Sequence, residues 1–278
     1  MAKREKRNRI IVFIVLIVIA FVQDLPLISM YGTAFKTPEQ ALSSTQLIPA
    51  LGEWSLDSFR NVLANSSFGQ NVVSSLLAST GTTLLCTMVA MFAGYALSRY
   101  RGRFFSCFSV LLIIIQMLPV MLLLIPTYML YTKLNLMDSI VGIILIYTTQ
   151  NMAFSIMLIR GFFDAIPKTL EEAARIDGCS DFKIFLKIIV PISLPGIGAV
   201  GIFTFLNSWN EYTYACLMLR NDAVKTVTIG MSQFISQSGT NYSSLMAAAS
   251  IATVPAVIFL VFAQKYLVTG LTAGAVKE

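Results

Sequence analysis

Histidine is absent from this 278-residue chain. That removes Ser-His and Cys-His nucleophilic pairs and every His-ligated metal site. Charge is scarce as well. Asp, Glu, Lys and Arg make up 12% of the residues, against about 25% in a soluble globular domain. The four cysteines, Cys86, Cys107, Cys179 and Cys216, form no CxxC pair, and no disulfide framework is expected of them. No glycine-rich loop followed by Lys and Ser or Thr occurs anywhere, which excludes ATP binding by a phosphate loop.

What the chain has in excess is apolar sequence, 56% of its residues. A membrane-crossing helix needs about 20 apolar residues. Six stretches meet that length: about Ile10–Met30, about Val72–Leu97, one within Phe104–Tyr131, about Ile140–Ile159, one within Ile184–Leu206, and about Leu245–Val268. The first follows a basic N-terminus, MAKREKRNR, and continues too far for a cleaved signal, so it reads as an uncleaved anchor. Asp24 falls near its far end and reads as an interfacial acid facing water. Pro119 and Pro126 lie in the third stretch, Pro191 and Pro195 in the fifth and Pro255 in the sixth. Membrane helices tolerate proline, and it bends them. The expectation is an all-α membrane protein of six transmembrane helices. Residues 1–9 form its basic N-terminus, 10–268 a six-helix membrane domain and 269–278 a C-terminal tail.

The net charge of +6 does not point to nucleic acid, because the basic residues cluster at expected helix ends. With the N-terminus in the cytoplasm, the inward-facing segments hold fifteen Lys and Arg and the outward-facing segments five. The asymmetry predicts cytoplasmic N- and C-termini. It also places Glu171–Gly178 inside the cell. The long outward connections are about Gly32–Asn71 and Ser208–Ser244, the second carrying the polar run SQFISQSGTNYSS.

The stretch EEAARIDGCSDFKIFLKIIVPISLP, residues 171–195, is unusual for a membrane chain. Thr169 and Glu172 have capping-box spacing, and Pro167 precedes them. Ala173 and Ala174 are strong helix formers, and Gly178 is placed to stop the helix in a left-handed conformation. A helix over Lys168–Asp177 is predicted. Its paired alanines read as one flat, small face open to a docking protein.

Glu172-Ala173-Ala174, three residues, Gly178, nine residues and Ile188-Ile189-Val190-Pro191 resemble the signature of the permease subunits of ABC importers; Val190 stands where Leu is usual. SWNEY at Ser208–Tyr212 and GLTAGAVKE at Gly270–Glu278 resemble the carbohydrate-importing, MalG-type branch, and Glu278 departs from the glycine common there. The resemblance implies the type I importer permease fold with a cytoplasmic coupling helix at about 168–178. Glu172, Ala173, Ala174 and Gly178 would then dock on a partner ATPase, with Thr272, Gly274 and Lys277 of the tail reaching the same partner. Its further implications are a non-catalytic subunit of a sugar importer in a bacterial inner membrane, a second and different permease, two ATPase subunits and an extracytoplasmic sugar-binding protein. No cofactor belongs to this chain, ATP and magnesium being held by the ATPase subunits.

Polar side chains at membrane depth need protein or water to face. Gln116, Gln150, Asn151, Asn207, Asn210 and Glu211 are the candidates for a pathway or gate. The amides equally suit interhelical hydrogen bonds. Glu211 belongs to the WNE motif and suits an outer gate or a contact with the second permease. A secondary transporter or channel would need midplane ionisable groups or duplicated halves, and neither is evident. An ABC permease for a non-sugar solute is a second alternative, and the GLTAGAVKE tail argues against it.

Overall fold

The first helix, α1, runs from Ala2 to Ala34 and exposes its apolar residues along its length, Phe13 and Phe21 among them. In this computed structural model the described residues are 2–64, 66–236 and 239–275. They divide into two compact units, Met1–Gly69 with Gly230–Thr253, and Gln70–Ile229 with Val254–Glu278.

In the first unit, α1 is followed by α2 (Pro38–Ser43) and α3 (Asp57–Ala64). Here lies the chain's capping box. Thr37 Oγ1 accepts from the Gln40 amide at 3.3 Å while Gln40 Oε1 accepts from the Thr37 amide at 3.0 Å. Phe35 packs its ring against Trp54 and Phe59. A two-residue antiparallel pair, β1 (Ile235–Ser236) with β2 (Gly239–Thr240), interrupts the polar run before the last helix.

The second unit holds α4 (Phe68–Arg99), α5 (Arg103–Met117), α6 (Val120–Lys133), α7 (Ile140–Asp164), α8 (Thr169–Ile176), α9 (Asp181–Ile192), α10 (Leu194–Trp209) and α11 (Thr213–Met218), and the chain passes back to the first unit within α12 (Val227–Ser232). The two units share α13 (Tyr242–Ala275). Four of these helices are long and apolar enough to cross a membrane, and the number reaches six when each of two bent pairs counts as one span.

Two expected spans are broken. The third stretch is α5 and α6, which meet at 99°. Pro119 disfavours helical geometry at the residue before it, and Leu118 is accordingly extended (φ −68°, ψ 128°). At 1.5 Å per residue, α5 alone is about 22 Å long, short of the roughly 30 Å hydrocarbon core. The fifth stretch is α9 and α10, bent by 75° at Ser193. Pro191 has no amide to donate, and a π-helical turn at Phe185–Ile189 precedes it, two recognised sources of a kink.

α7 is the hub of the second unit, packing against α5 and α10. Gly196 allows the closest approach, because a Cβ there would enter the Phe162 ring. One buried cluster joins Ile156, Ile159 and Phe163 of α7 to Phe185 and Ile189 of α9 and to Ala174 of α8; a second gathers Tyr131, Ile143, Tyr147, Tyr214 and Met218. The last helix continues through Ala275, so the expected tail is helical where it is described.

Candidate functional site

Helix α8 begins one residue earlier than the capping-box reading allows. Lys168 is already helical (φ −65°, ψ −23°), and the Glu172 amide donates to its carbonyl at 3.0 Å. Thr169 is therefore inside the helix, and no side chain caps this end. The C-terminal end is as the sequence foretells. Gly178 adopts φ +81°. The Cys179 amide donates to the Ala174 carbonyl and the Gly178 amide to the Arg175 carbonyl, both at 3.0 Å. These two bonds define a Schellman motif, which fixes the direction in which the chain leaves the helix.

The two alanines do not share a face. Successive residues of a helix point about 100° apart, and here they divide between opposite sides. Glu171 (2% exposed) and Ala174 (7%) turn inward, while Glu172 and Ala173 are exposed and Ile176 is 87% exposed. Positions 172, 173 and 176 follow helical spacing and form a bare outer stripe.

Glu171 holds the inner face. Its Oε1 accepts from Arg99 Nε and its Oε2 from the Tyr95 hydroxyl at 2.9 Å, both residues lying on α4. Arg99 also donates to Ser98 Oγ at 2.7 Å and to the Ile166 carbonyl at 3.3 Å. Ser98 in turn donates to Asp164 of α7 at 2.5 Å, and Arg160 pairs with Asp164 at 3.4 Å while donating to Ser109 of α5 at 2.9 Å. On the other side of α8, Arg175 donates to Asp181 of α9 at 2.9 Å, and that bond raises the already high guanidinium pKa. The short helix is thus tied directly to α4 and α9, and through Ser98 and Asp164 to α7, by charged hydrogen bonds, which are stronger than neutral ones. Sequence reasoning missed Glu171, Arg99 and Ile176.

Asn207 Nδ2 donates to Asn151 Oδ1 at 2.7 Å, joining α10 to α7, and Asn151 reaches the Tyr147 carbonyl at 2.7 Å. Asn151 is 1% exposed. Glu211 accepts from the Tyr214 and Ala215 amides at 2.8 and 3.1 Å, so both its oxygens serve the start of α11. Asn210 bonds back to the Leu206 carbonyl of its own helix. Gln116 is exposed beside the α5–α6 break, and Gln150 is half-buried; neither joins the Asn151–Asn207 pair. Thr272 and Gly274 lie on the backbone of α13, and Lys277 lies outside the described residues.

Comparison with known proteins adds four findings. The family described as "Binding-protein-dependent transport system inner membrane component" matches residues 86–272. The arabinooligosaccharides transport system permease protein AraQ of Halalkalibacterium halodurans is 32% identical over 93% of each chain. The diacetylchitobiose uptake system permease protein DasC of Streptomyces coelicolor is 30% identical over 91% of each. A chain of a bacterial ABC transporter that imports the acidic polysaccharide alginate superposes with a TM-score of 0.78 at 20% identity, over 92% of this chain and 95% of that one.

Proposed function

The chain belongs to the binding-protein-dependent transport system inner membrane components, and from that premise we propose that it is one permease subunit of an ATP-driven importer of oligosaccharides. The cargo class follows AraQ and DasC, permeases for arabinooligosaccharides and diacetylchitobiose. A second, different permease and two ATPase subunits complete the assembly, with an extracytoplasmic sugar-binding protein delivering the cargo. The ATPase subunits hold ATP and magnesium. Both termini and α8 face the cytoplasm, as the distribution of Lys and Arg supports.

The observation that carries this reading is the two-sidedness of α8. Its inner side is locked to α4 through Glu171, Arg99 and Tyr95, and its outer stripe of Glu172, Ala173 and Ile176 is left bare among the described residues. Such a helix can receive a push from a partner and pass it to the spans without rotating. Ala173 allows close approach, Ile176 supplies apolar area, and Glu172 supplies one charge. Gly178 keeps the helix at a fixed angle, so closure of the ATPase dimer becomes displacement of α4 and α9. The Asn151–Asn207 pair is the polar feature nearest a pathway role.

Cysteine crosslinking in the assembled complex tests the reading, in a background with Cys107 and Cys216 replaced because both are exposed. Ala173→Cys is expected to crosslink to the ATPase subunit, and Ala174→Cys, facing the core, is not. A complex in which Ala173→Cys never crosslinks, or in which Ala174→Cys does so equally, overturns the assignment.

A further inference from the structure

A cavity of about 420 Å³ opens beside α8, between the end of α4, the start of α5 and the end of α7. Its lining includes Arg99, Arg101, Arg160 and Lys168 against a single carboxylate, Asp164. Arg99 and Arg160 are engaged, the first with Glu171 and the second with Asp164. Arg101 and Lys168 are exposed and make no ion pair or side-chain hydrogen bond among the described residues. Ser106 adds a hydroxyl, while that of Ser109 is taken up by the Phe105 carbonyl and Arg160. The wall is also the N-terminus of α5, a 15-residue helix whose first amides receive no side-chain cap. Uncapped amides and the positive end of a helix dipole favour an anion.

From these observations we propose that the cavity binds the phosphodiester headgroup of an anionic phospholipid. The chemistry of the floor is that of a phosphate site: two uncommitted cations, the Ser106 hydroxyl and a helix N-terminus. The surroundings select a lipid as its source. The cavity lies where spanning helices end, and on the proposed topology this is the cytoplasmic leaflet, where basic pockets between spans meet anionic headgroups. The adjoining helix α5 exposes Phe104 (74%) at its first turn, then Val110 and Ile114 further along. Acyl chains have an apolar wall to follow as soon as they leave the headgroup. A soluble phosphate compound would have no use for that wall. Arg160 is occupied by Asp164, which leaves Arg101 and Lys168 to meet the ligand. The site depends neither on the cargo nor on docking at α8.

The test uses the intact complex, delipidated and returned to nanodiscs of phosphatidylcholine with or without phosphatidylglycerol. Bound lipid is counted by native mass spectrometry. The wild type is expected to retain phosphatidylglycerol in preference to phosphatidylcholine. Arg101→Gln with Lys168→Gln is expected to weaken that retention about thirty-fold, since each basic residue near an anionic surface contributes about a factor of five. Arg101→Lys with Lys168→Arg is expected to retain the preference, which separates loss of charge from a folding defect. Equal retention of the two lipids by the wild type, or unchanged retention by the double glutamine variant, overturns the proposal. So does full displacement of the lipid by millimolar inorganic phosphate, which would mark a site for free phosphate. Retention seen only after the ATPase subunits are removed would assign the cavity to the protein partner and overturn it as well.

Discussion

Replacing Glu171 with alanine removes the one carboxylate that holds α8 to α4. The residue is 2% exposed and the Arg99 side chain 9%. Deleting one member of a buried charge pair costs about 3–5 kcal/mol, because the survivor is left uncompensated. Arg99 keeps its bonds to Ser98 and to the Ile166 carbonyl, which puts the expected cost near the lower bound, about 3 kcal/mol. The loss is local: Tyr95 and Arg99 are the α4 partners of α8, while Ala174 still packs in the core. A 3 kcal/mol change corresponds to about a 150-fold increase in the population of detached α8.

Two measurements follow from that number. Hydrogen exchange of the α8 amides in the purified complex is expected to accelerate by about two orders of magnitude, with the amides of α10 unaffected. In proteoliposomes supplied with loaded binding protein, ATP hydrolysis is expected to persist while sugar imported per ATP falls at least tenfold. Glu172→Ala is the control. It removes an exposed acid one residue away, so it is expected to weaken partner docking and leave α8 exchange at the wild-type rate. Wild-type exchange in α8 together with wild-type import per ATP in Glu171→Ala would refute the claim that this carboxylate is the rigid joint.

Gly178→Val is expected to lower import per ATP without unfolding the membrane domain. A Cβ at this position meets no atom within 4 Å, so the cost comes from the left-handed backbone, about 1–2 kcal/mol and more for a β-branched residue. Gly178→Asn, which tolerates that conformation, is expected to import nearly as the wild type does, and equal loss in both variants would show that side-chain bulk was the cause. Gly196→Val is expected to destabilise the α7–α10 contact by about 1–3 kcal/mol through overpacking, read as a lower thermal midpoint of the purified complex. Phe162→Leu in the same chain should restore part of that loss, because the ring is what the new Cβ meets.

Several features of α8 were legible because they depend on neighbours within one turn. Gly178 stops the helix whatever surrounds it, and the Schellman bonds need only local backbone. The inward and outward faces were not legible in the same way. Alanine has no preference for either side, and α8 has only eight residues over which to show a period. The fate of Glu171 depends on Arg99, 72 positions earlier. Thr169 and Glu172 match the capping-box pattern, yet Lys168 is already helical and the pattern goes unused; Thr37 and Gln40 match it equally and use it. The prolines announced bends, but the 99° turn at Pro119 could not be read from composition because its size depends on the packing of both arms. The Asn151–Asn207 bond joins residues 56 apart, and nothing in their spacing announces it.

Stiffness and compliance occupy different places along the same path. From α8, charged hydrogen bonds lead through Arg99 and Ser98 to Asp164, at the end of α7. α7 then meets α10 across Gly196 and Phe162, where contact is too close for sliding. The helix that leaves α8 in sequence is built the opposite way. α9 contains a π-helical turn, a proline without an amide and a break at Ser193, whose buried hydroxyl has no partner among the described residues. Each of these removes a backbone or side-chain bond that would resist bending. On the proposed reading, a push on Glu172, Ala173 and Ile176 therefore moves α4 and α7 as one piece, while the 75° joint between α9 and α10 absorbs the change of angle. A rigid connection on both sides of α8 would leave the two ends of the unit no way to move differently, and alternating access requires that they do.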